Sequence, residues 1–425
     1  MKKFVLILLV VCLLLGCVVG YVVSAEGAKA PAEPTAVGEP ETAAVPAQTE
    51  VPAQTEAPAP TETAEPDDTA AEETTAAPLS LDFAAIRALH APDEIVGSVD
   101  GRDVTWDEYF YWLHDFGLQA EQYIQTLAMY GQSLSWTDKL SADSEQTLAE
   151  YVIELTQDCT KQLAVVEAVA EENDVTLTAE NEEELAEQLQ QTITNTCGEG
   201  ASEEDFNALL EEELLSRAMY DRISRANYLF QNSFDALYGE NGEKVSDETA
   251  LAYLTENDYL GASHILFATV DLNTFEPLDD ETVAQKLRQA EAVSAELRAI
   301  EDVNERAARF AELKEQYCED AGKSSYPDGY YFTPGTMVTE FEDGTRALEE
   351  YEVSEPILSA YGYHVIMRLP LSAEFTMEYS EAGTPLTARA LYANEQYNAM
   401  MTGRIESSVF TLREGFELDL TEYLK

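Results

Sequence analysis

Two apolar runs, GASHILFATV at 261–270 and YGYHVIMRLP at 361–370, limit the fold of this chain more than any other feature. Each is short, rich in β-branched and aromatic residues and apolar on both faces, so each reads as a strand buried within a sheet. The chain between them must leave that sheet and return to it. Each run also carries a histidine near its centre, His264 and His364, in a sequence of 425 residues that holds only four. A chain that spends so few imidazoles and buries two of them at matching positions points to a paired site.

The intervening residues supply the rest of a compact unit. Residues 263–269 form the first strand, and 281–299 and 303–316 are helical by period and composition. Residues 329–332 make a second strand and 339–349 a short helix. Strands at 353–358 and 363–369 close the unit. The order β-α-α-β-α-β-β, with hairpin-type pairing at its end, predicts an antiparallel sheet covered by helices, an α+β arrangement.

Upstream, EIVGSVDGRDVTWDEYFYWL gives a strand, a turn at Asp100-Gly101 and a helix opened by Thr105, with Glu108 three residues on in capping-box spacing. Tyr109, Trp112, Leu113 and Phe116 follow at i, i+3, i+4, i+7, the stripe of a helix that buries one face. Further helices are predicted at 145–171, 178–195, 202–231 and 247–256, the third opened by Ser202 with Asp205. Residues 387–409 form one more. The large apolar residues in these helices form core, and their density in thin segments leaves room for grooves that take extended chains.

Before residue 80 nothing offers a core. From 26 to 80 the chain is Ala, Pro, Thr and Glu, with VPAQTE at 45–50 repeated at 51–56. Such a stretch has too little apolar surface to offset the entropy of ordering, and it predicts a disordered, extended tether. Residues 1–25 carry Lys2 and Lys3 ahead of an unbroken apolar run and form an export signal or anchor. Three outcomes stay open. Leu14-Leu15-Gly16-Cys17 resembles a lipobox that lipidates Cys17, the run is long enough to stay as a transmembrane anchor, and Val23-Ser24-Ala25 fits a cleavage site. Each places the remainder outside the cytoplasm.

Composition then narrows the partners. With 24 basic against 82 acidic side chains the formal charge is −58, a field that repels phosphate backbones, so nucleic acid is not an expected partner. Cysteines at 159, 197 and 318 allow at most one bridge outside the signal. No CxxC, HExxH or clustered His/Cys set is present, and neither a metal nor a cofactor is expected.

Residues 259–370 resemble the parvulin family of peptidyl-prolyl isomerases. The likeness rests on Ala262-Ser263-His264-Ile265-Leu266, Gly335-Thr336-Met337, Glu340-Phe341-Glu342-Asp343, Val353-Ser354-Glu355-Pro356 and Gly362-Tyr363-His364-Val365-Ile366, in that order and spacing. The flanks resemble the SurA/PrsA-type extracytoplasmic foldases, in which the isomerase is inserted into a helical chaperone domain. The resemblance implies a signal or anchor at 1–25, a tether at 26–80, a helical chaperone domain at 81–257 plus 371–425, and a parvulin domain at 258–370. It implies catalytic roles for His264, Asp320 and His364, and a substrate-binding set of Met337, Phe341, Tyr330 and Phe332. It also implies a foldase that isomerises X-Pro bonds in unfolded or newly exported chains, anchored at the outer face of a bacterial cytoplasmic membrane. The alternative is a holdase whose parvulin domain turns over weakly or not at all. Oligomeric state is left open.

One departure bears on that choice. Where the family commonly has Gly-Gly-Asp-Leu-Gly, this chain has Tyr326-Pro327-Asp328-Gly329-Tyr330, so the pocket leucine is Gly329 and Tyr330 is the residue placed to fill the gap. Residues 267–285 contain no Lys or Arg, whereas phosphate-directed parvulins place basic residues there, so phosphopeptides are disfavoured.

Overall fold

The computed structural model describes residues 79–141, 144–379 and 385–425. The signal, Cys17 and nearly all of the tether lie outside the described residues. Among those described, no helix is long and apolar enough to cross a membrane.

The chain opens with α1 (Phe83–Arg87) and a hairpin of β1 (Ile95–Val99) and β2 (Arg102–Thr105). The hairpin turns at Asp100 (φ 50°) and Gly101 (φ 87°), the two left-handed positions that an Asp-Gly turn of this kind needs. Helix α2 (Trp106–Met129) starts at Thr105, whose hydroxyl accepts the Glu108 N–H at 3.3 Å. The expected capping box is only half formed. Glu108 turns its carboxylate inward to Arg222 instead of back to the Thr105 backbone, because that end of the helix packs onto the rest of the bundle. Complete boxes open α3 (Leu148–Glu172) at Thr147 and Glu150, and α4 (Ala179–Cys197) at Thr178 and Asn181.

The helix expected at 202–231 is two helices. Chain α5 (Glu203–Glu212) begins with the box of Ser202 and Asp205, and α6 (Arg217–Tyr238) begins after a break. Leu214 takes a left-handed φ of 61°, the Leu215 N–H reaches back to the Leu210 carbonyl at 2.8 Å, and Ser216 caps the new helix through the Met219 N–H. The apolar stripe runs across this join, which is why periodicity alone merged the two. Helix α7 (Asp247–Glu256) then leads into the isomerase-like sheet.

That sheet has four antiparallel strands in the order β4-β3-β6-β5, where β3 is Leu260–Ala268, β4 Tyr330–Phe332, β5 Ile357–Leu358 and β6 Gly362–Leu369. The two histidine strands are its central pair, in register from Gly261 opposite Leu369 to Ala268 opposite Gly362. Helices α8 (Asp280–Arg298) and α9 (Val303–Tyr317) bury Leu297, Phe310 and Leu313 against one face. Helix α10 (Thr339–Arg346), shorter than the expected 339–349, lays Phe341 against the other with Ala262 and Ile366. The strand expected at 353–358 is interrupted. Val353 bridges Met367 and Ser354 pairs with Ile366, but Ile357 opposes His364. One extra residue is therefore accommodated at Glu355-Pro356, where proline has no N–H for the ladder.

After β6 a hairpin of β7 (Thr376–Tyr379) and β8 (Pro385–Thr387) leads to α11 (Ala388–Ser407) and β9 (Phe410–Leu412). This return segment packs back onto the N-terminal part. Strand β9 pairs with β1, Phe416 and Leu420 join the Trp106, Phe110 and Leu113 core, and Tyr397 and Met401 join Val169 and Phe234. The whole is α+β, a helical body with the antiparallel sheet unit set into it between α7 and β7. No disulfide joins Cys159, Cys197 and Cys318.

Candidate active site

Register builds the site. In the β3–β6 ladder His264 faces Ile366 and His364 faces Leu266, so the two imidazoles are diagonal neighbours on one face of the sheet. Their Nδ1 atoms lie 3.0 Å apart and the rings stack with centroids 5.1 Å apart. Both are buried. His264 Nε2 reaches Asp320 Oδ2 at 2.9 Å and His364 Nε2 reaches the Ser359 hydroxyl at 2.7 Å. Asp320 follows α9 and caps a 3-10 turn at Ala321–Ser324, accepting the Gly322 N–H at 2.9 Å.

With both rings neutral, these contacts fix the protons. A carboxylate only accepts, so His264 carries its hydrogen on Nε2 and leaves Nδ1 as acceptor. His364 then donates from Nδ1 and accepts the Ser359 O–H at Nε2. The Ser359 oxygen in turn accepts the Tyr361 N–H at 3.1 Å. All donors point one way, from Ser359 through His364 and His264 to Asp320, and the result is a fixed line of dipoles on the sheet face that α10 covers.

The electrostatics follow from burial and these bonds. Burial raises the Asp320 carboxyl, but hydrogen bonds from His264, Tyr330 and Gly322 outweigh it and hold it well below the usual carboxylate range. Burial pushes the His364 imidazole down to about 3, with the neighbouring His264 adding to the effect. Such a histidine costs stability in acid. Between pH 6.5 and about 3 the unfolded chain takes up a proton that the folded site refuses, so stability falls by about 1.4 kcal/mol per pH unit at most. Asp320 adds to the loss only below about pH 4, where the unfolded carboxyl begins to protonate. Urea unfolding at pH 7.5 and 5 is expected to show about 2 kcal/mol of this loss in the wild type, less in His364→Gln. Equal pH dependence in the two would remove His364 from the account.

Around the imidazoles stands an aromatic cup. Phe341 meets His264 and His364 edge-on at 5.1 and 5.5 Å, and Phe332 packs on Phe341 at 5.7 Å. Phe332 and Phe341 are buried, while Met337 and Tyr330 are partly exposed and form the open side. Glu342 holds the Met337 loop by accepting the N–H groups of Met337 at 2.9 Å and Gly335 at 3.1 Å. Every residue named from the sequence for this site, His264, Asp320, His364, Met337, Phe341, Tyr330 and Phe332, lies in one cluster. Cys318 does not join them; its sulfur accepts the Leu266 N–H inside the core.

Two contributors were missed. Ser359 lies in the short β5–β6 connection, where a serine is ordinary and only the fold shows it under His364. Lys314 is buried on α9 and donates to the carbonyls of Pro327 at 3.0 Å and Tyr326 at 3.4 Å. It holds the altered turn in place. Within that turn Gly329 has φ 122°, and a Cβ there would sit 2.5 Å from Leu369 Cδ1 and 2.7 Å from the Ala262 carbonyl. A leucine does not fit this backbone, and Tyr330 closes that side of the cup.

Residues 264–369 match the PPIC-type PPIase domain family, the rotamases. The chain is 26% identical over 292 residues to the foldase protein PrsA of Oceanobacillus iheyensis, covering 68% of this chain and 72% of that one. It is 53% identical over 58 residues to foldase protein PrsA 1 of Bacillus cereus, covering 13% and 20%. Over 83 residues it is 39% identical to the chaperone SurA of Chromohalobacter salexigens, covering 19% and 18%. Among solved structures, PrsA from Bacillus subtilis aligns with 64% of this chain and 91% of its own at 17% identity and a TM-score of 0.25. The chain carries a parvulin-type peptidyl-prolyl cis-trans isomerase domain. Beyond that domain, the chain is similar to the foldase protein PrsA over about two thirds of its length.

Proposed function

We propose that this chain is an exported foldase in which His264, His364 and Asp320 form the isomerisation site and Met337, Phe341, Tyr330 and Phe332 hold the substrate proline. Residues 81–257 with 371–425 serve as the chaperone body, and 258–370 as the isomerase domain. Residues 1–25, as a lipidated or uncleaved anchor, hold it at the outer face of the cytoplasmic membrane through the tether at 26–80. The observation that carries the reading is the one-way line of hydrogen bonds from Ser359 to Asp320 beneath an aromatic cup.

Rotation about an X-Pro bond crosses a barrier of about 18–20 kcal/mol because the amide loses resonance as it twists. Neither a nucleophile nor a cofactor is needed to lower it. The proline ring enters the cup against Met337 and Phe341, which strips water from the amide. The oriented imidazole dipoles, fixed before substrate arrives, favour the twisted form with its pyramidal nitrogen over either planar form. Removing about 4–7 kcal/mol of the barrier accelerates the reaction by three to five decades.

The test is an isomerisation assay of the full chain on an X-Pro peptide. His264→Ala and His364→Ala are each expected to lower kcat/KM by about 10-fold or more. Full rates in both variants remove the imidazoles from catalysis. A wild-type rate equal to the uncatalysed one leaves the holdase reading, with the unit serving only to bind.

A further inference from the structure

Tyr330 stands where the family pattern has its last glycine, and the structure gives it a second task besides closing the cup. It opens the edge strand β4 opposite Ala262, two residues along β3 from His264. Its ring meets His264 edge-on at 5.6 Å and packs on Tyr326 at 5.0 Å. Its hydroxyl donates to Asp320 Oδ2 at 2.5 Å, the same oxygen that receives the His264 Nε2–H. The other carboxylate oxygen takes the Gly322 N–H. Gly322 also leaves the space the hydroxyl occupies, because a Cβ there would lie 2.2 Å from the Tyr330 oxygen.

We propose that Tyr330 is a positioning residue of the isomerase site: its hydroxyl, admitted by Gly322, clamps Asp320 so that the carboxylate fixes the tautomers of His264 and, through it, His364. The inference rests on the role proposed above for the histidine pair. Asp320 sits on a short turn, not on the sheet, so only its hydrogen bonds determine where it points. Gly322 supplies one from the turn itself. His264 supplies a second from β3, Tyr330 a third from the edge strand β4, and Lys314, by holding the Tyr326-Pro327 carbonyls, keeps the Tyr330 ring in register. Loss of the hydroxyl leaves the cup's apolar wall intact but frees the carboxylate to rotate and to protonate more easily.

Two variants of the full chain separate positioning from packing. Tyr330→Phe removes the hydroxyl and keeps the ring, and Gly322→Ala pushes the hydroxyl away without changing any residue of the cup. Each is expected to lower kcat/KM on an X-Pro peptide by about 3–10-fold with KM changed less than about 2-fold. Each is also expected to raise, by about one unit, the pH at which activity is half lost on acidification. Gly322→Ala placed in the Tyr330→Phe chain should add less than about 2-fold further loss, since its effect passes through the hydroxyl. An unmoved acid limb in both single variants, at any rate, makes Tyr330 a packing residue and overturns the proposal. Fully active His264→Ala and His364→Ala controls would bring down the site reading itself, and impaired controls beside a wild-type acid limb in Tyr330→Phe would bring down only this inference.

Discussion

Arg222→Ala lowers the unfolding free energy by about 3–5 kcal/mol at pH 7.5, the cost of leaving a buried carboxylate without its partner. Glu108 on α2 is almost completely enclosed, with its side chain 2% exposed, and its Oε2 is held at 2.6 Å by Arg222 Nη1 of α6. Arg222 also grips Glu167 of α3 through Nε at 2.6 Å and Nη2 at 2.8 Å. One guanidinium thus ties three helices. Burial already raises the Glu108 pKa even with Arg222 beside it. The ionised form is therefore what costs stability, a cost that grows as pH rises from the ordinary carboxylate range to the raised folded value and is complete above it. The deficit of Arg222→Ala should accordingly shrink on acidification from pH 7.5 to 5, as Glu108 takes a proton. Replacing both partners, Glu108→Leu with Arg222→Met, should recover most of the loss. Urea unfolding measures all three. A loss below about 1 kcal/mol in Arg222→Ala would mean that water reaches Glu108.

Gly329→Leu, which restores the residue the parvulin pattern commonly carries, is expected to damage this protein. The backbone at 329 has φ 122°, a region that costs a side-chain-bearing residue about 1–3 kcal/mol, and overpacking against Leu369 and the Ala262 carbonyl adds about as much. Unfolding measurements should show about 3 kcal/mol or more of destabilisation. Isomerase activity should fall, because β4 must move away from β3 and carries Tyr330 off Asp320. A Gly329→Leu chain as stable as wild type and more active would show that the turn readily adopts the commoner backbone and that Tyr330 is dispensable.

These two substitutions mark different limits of what sequence reveals. The turn at 326–330 was visible as an anomaly, because two glycines were missing and a proline had appeared. Its consequence was not, since Lys314 lies a dozen residues upstream and no local rule links a helix lysine to the carbonyls of a later turn. Glu108 was read as a capping residue from its spacing to Thr105, a rule blind to an arginine far along the chain that competes for the carboxylate. The break at Leu214–Ser216 was hidden because the apolar stripe continues through it. The interruption at Pro356 was legible only as a proline inside a strand.

The sequence by itself determined that two buried strands with central histidines frame an isomerase-like unit, and which residues crowd around them. Period-two alternation puts His264 and His364 each on a definite face of its strand, short matches at fixed spacing supply Met337 and Phe341, and the family resemblance implies Asp320. Only the tertiary structure decided that the faces coincide with a two-residue stagger, which sets the Nδ1 atoms at hydrogen-bonding distance. Only it showed that Ser359 and Asp320 end the line in opposite senses and that Tyr330 reaches Asp320 through the space beside Gly322. The reason is that spacing along a chain encodes local geometry, whereas a hydrogen-bond network is closed by groups brought together from distant segments.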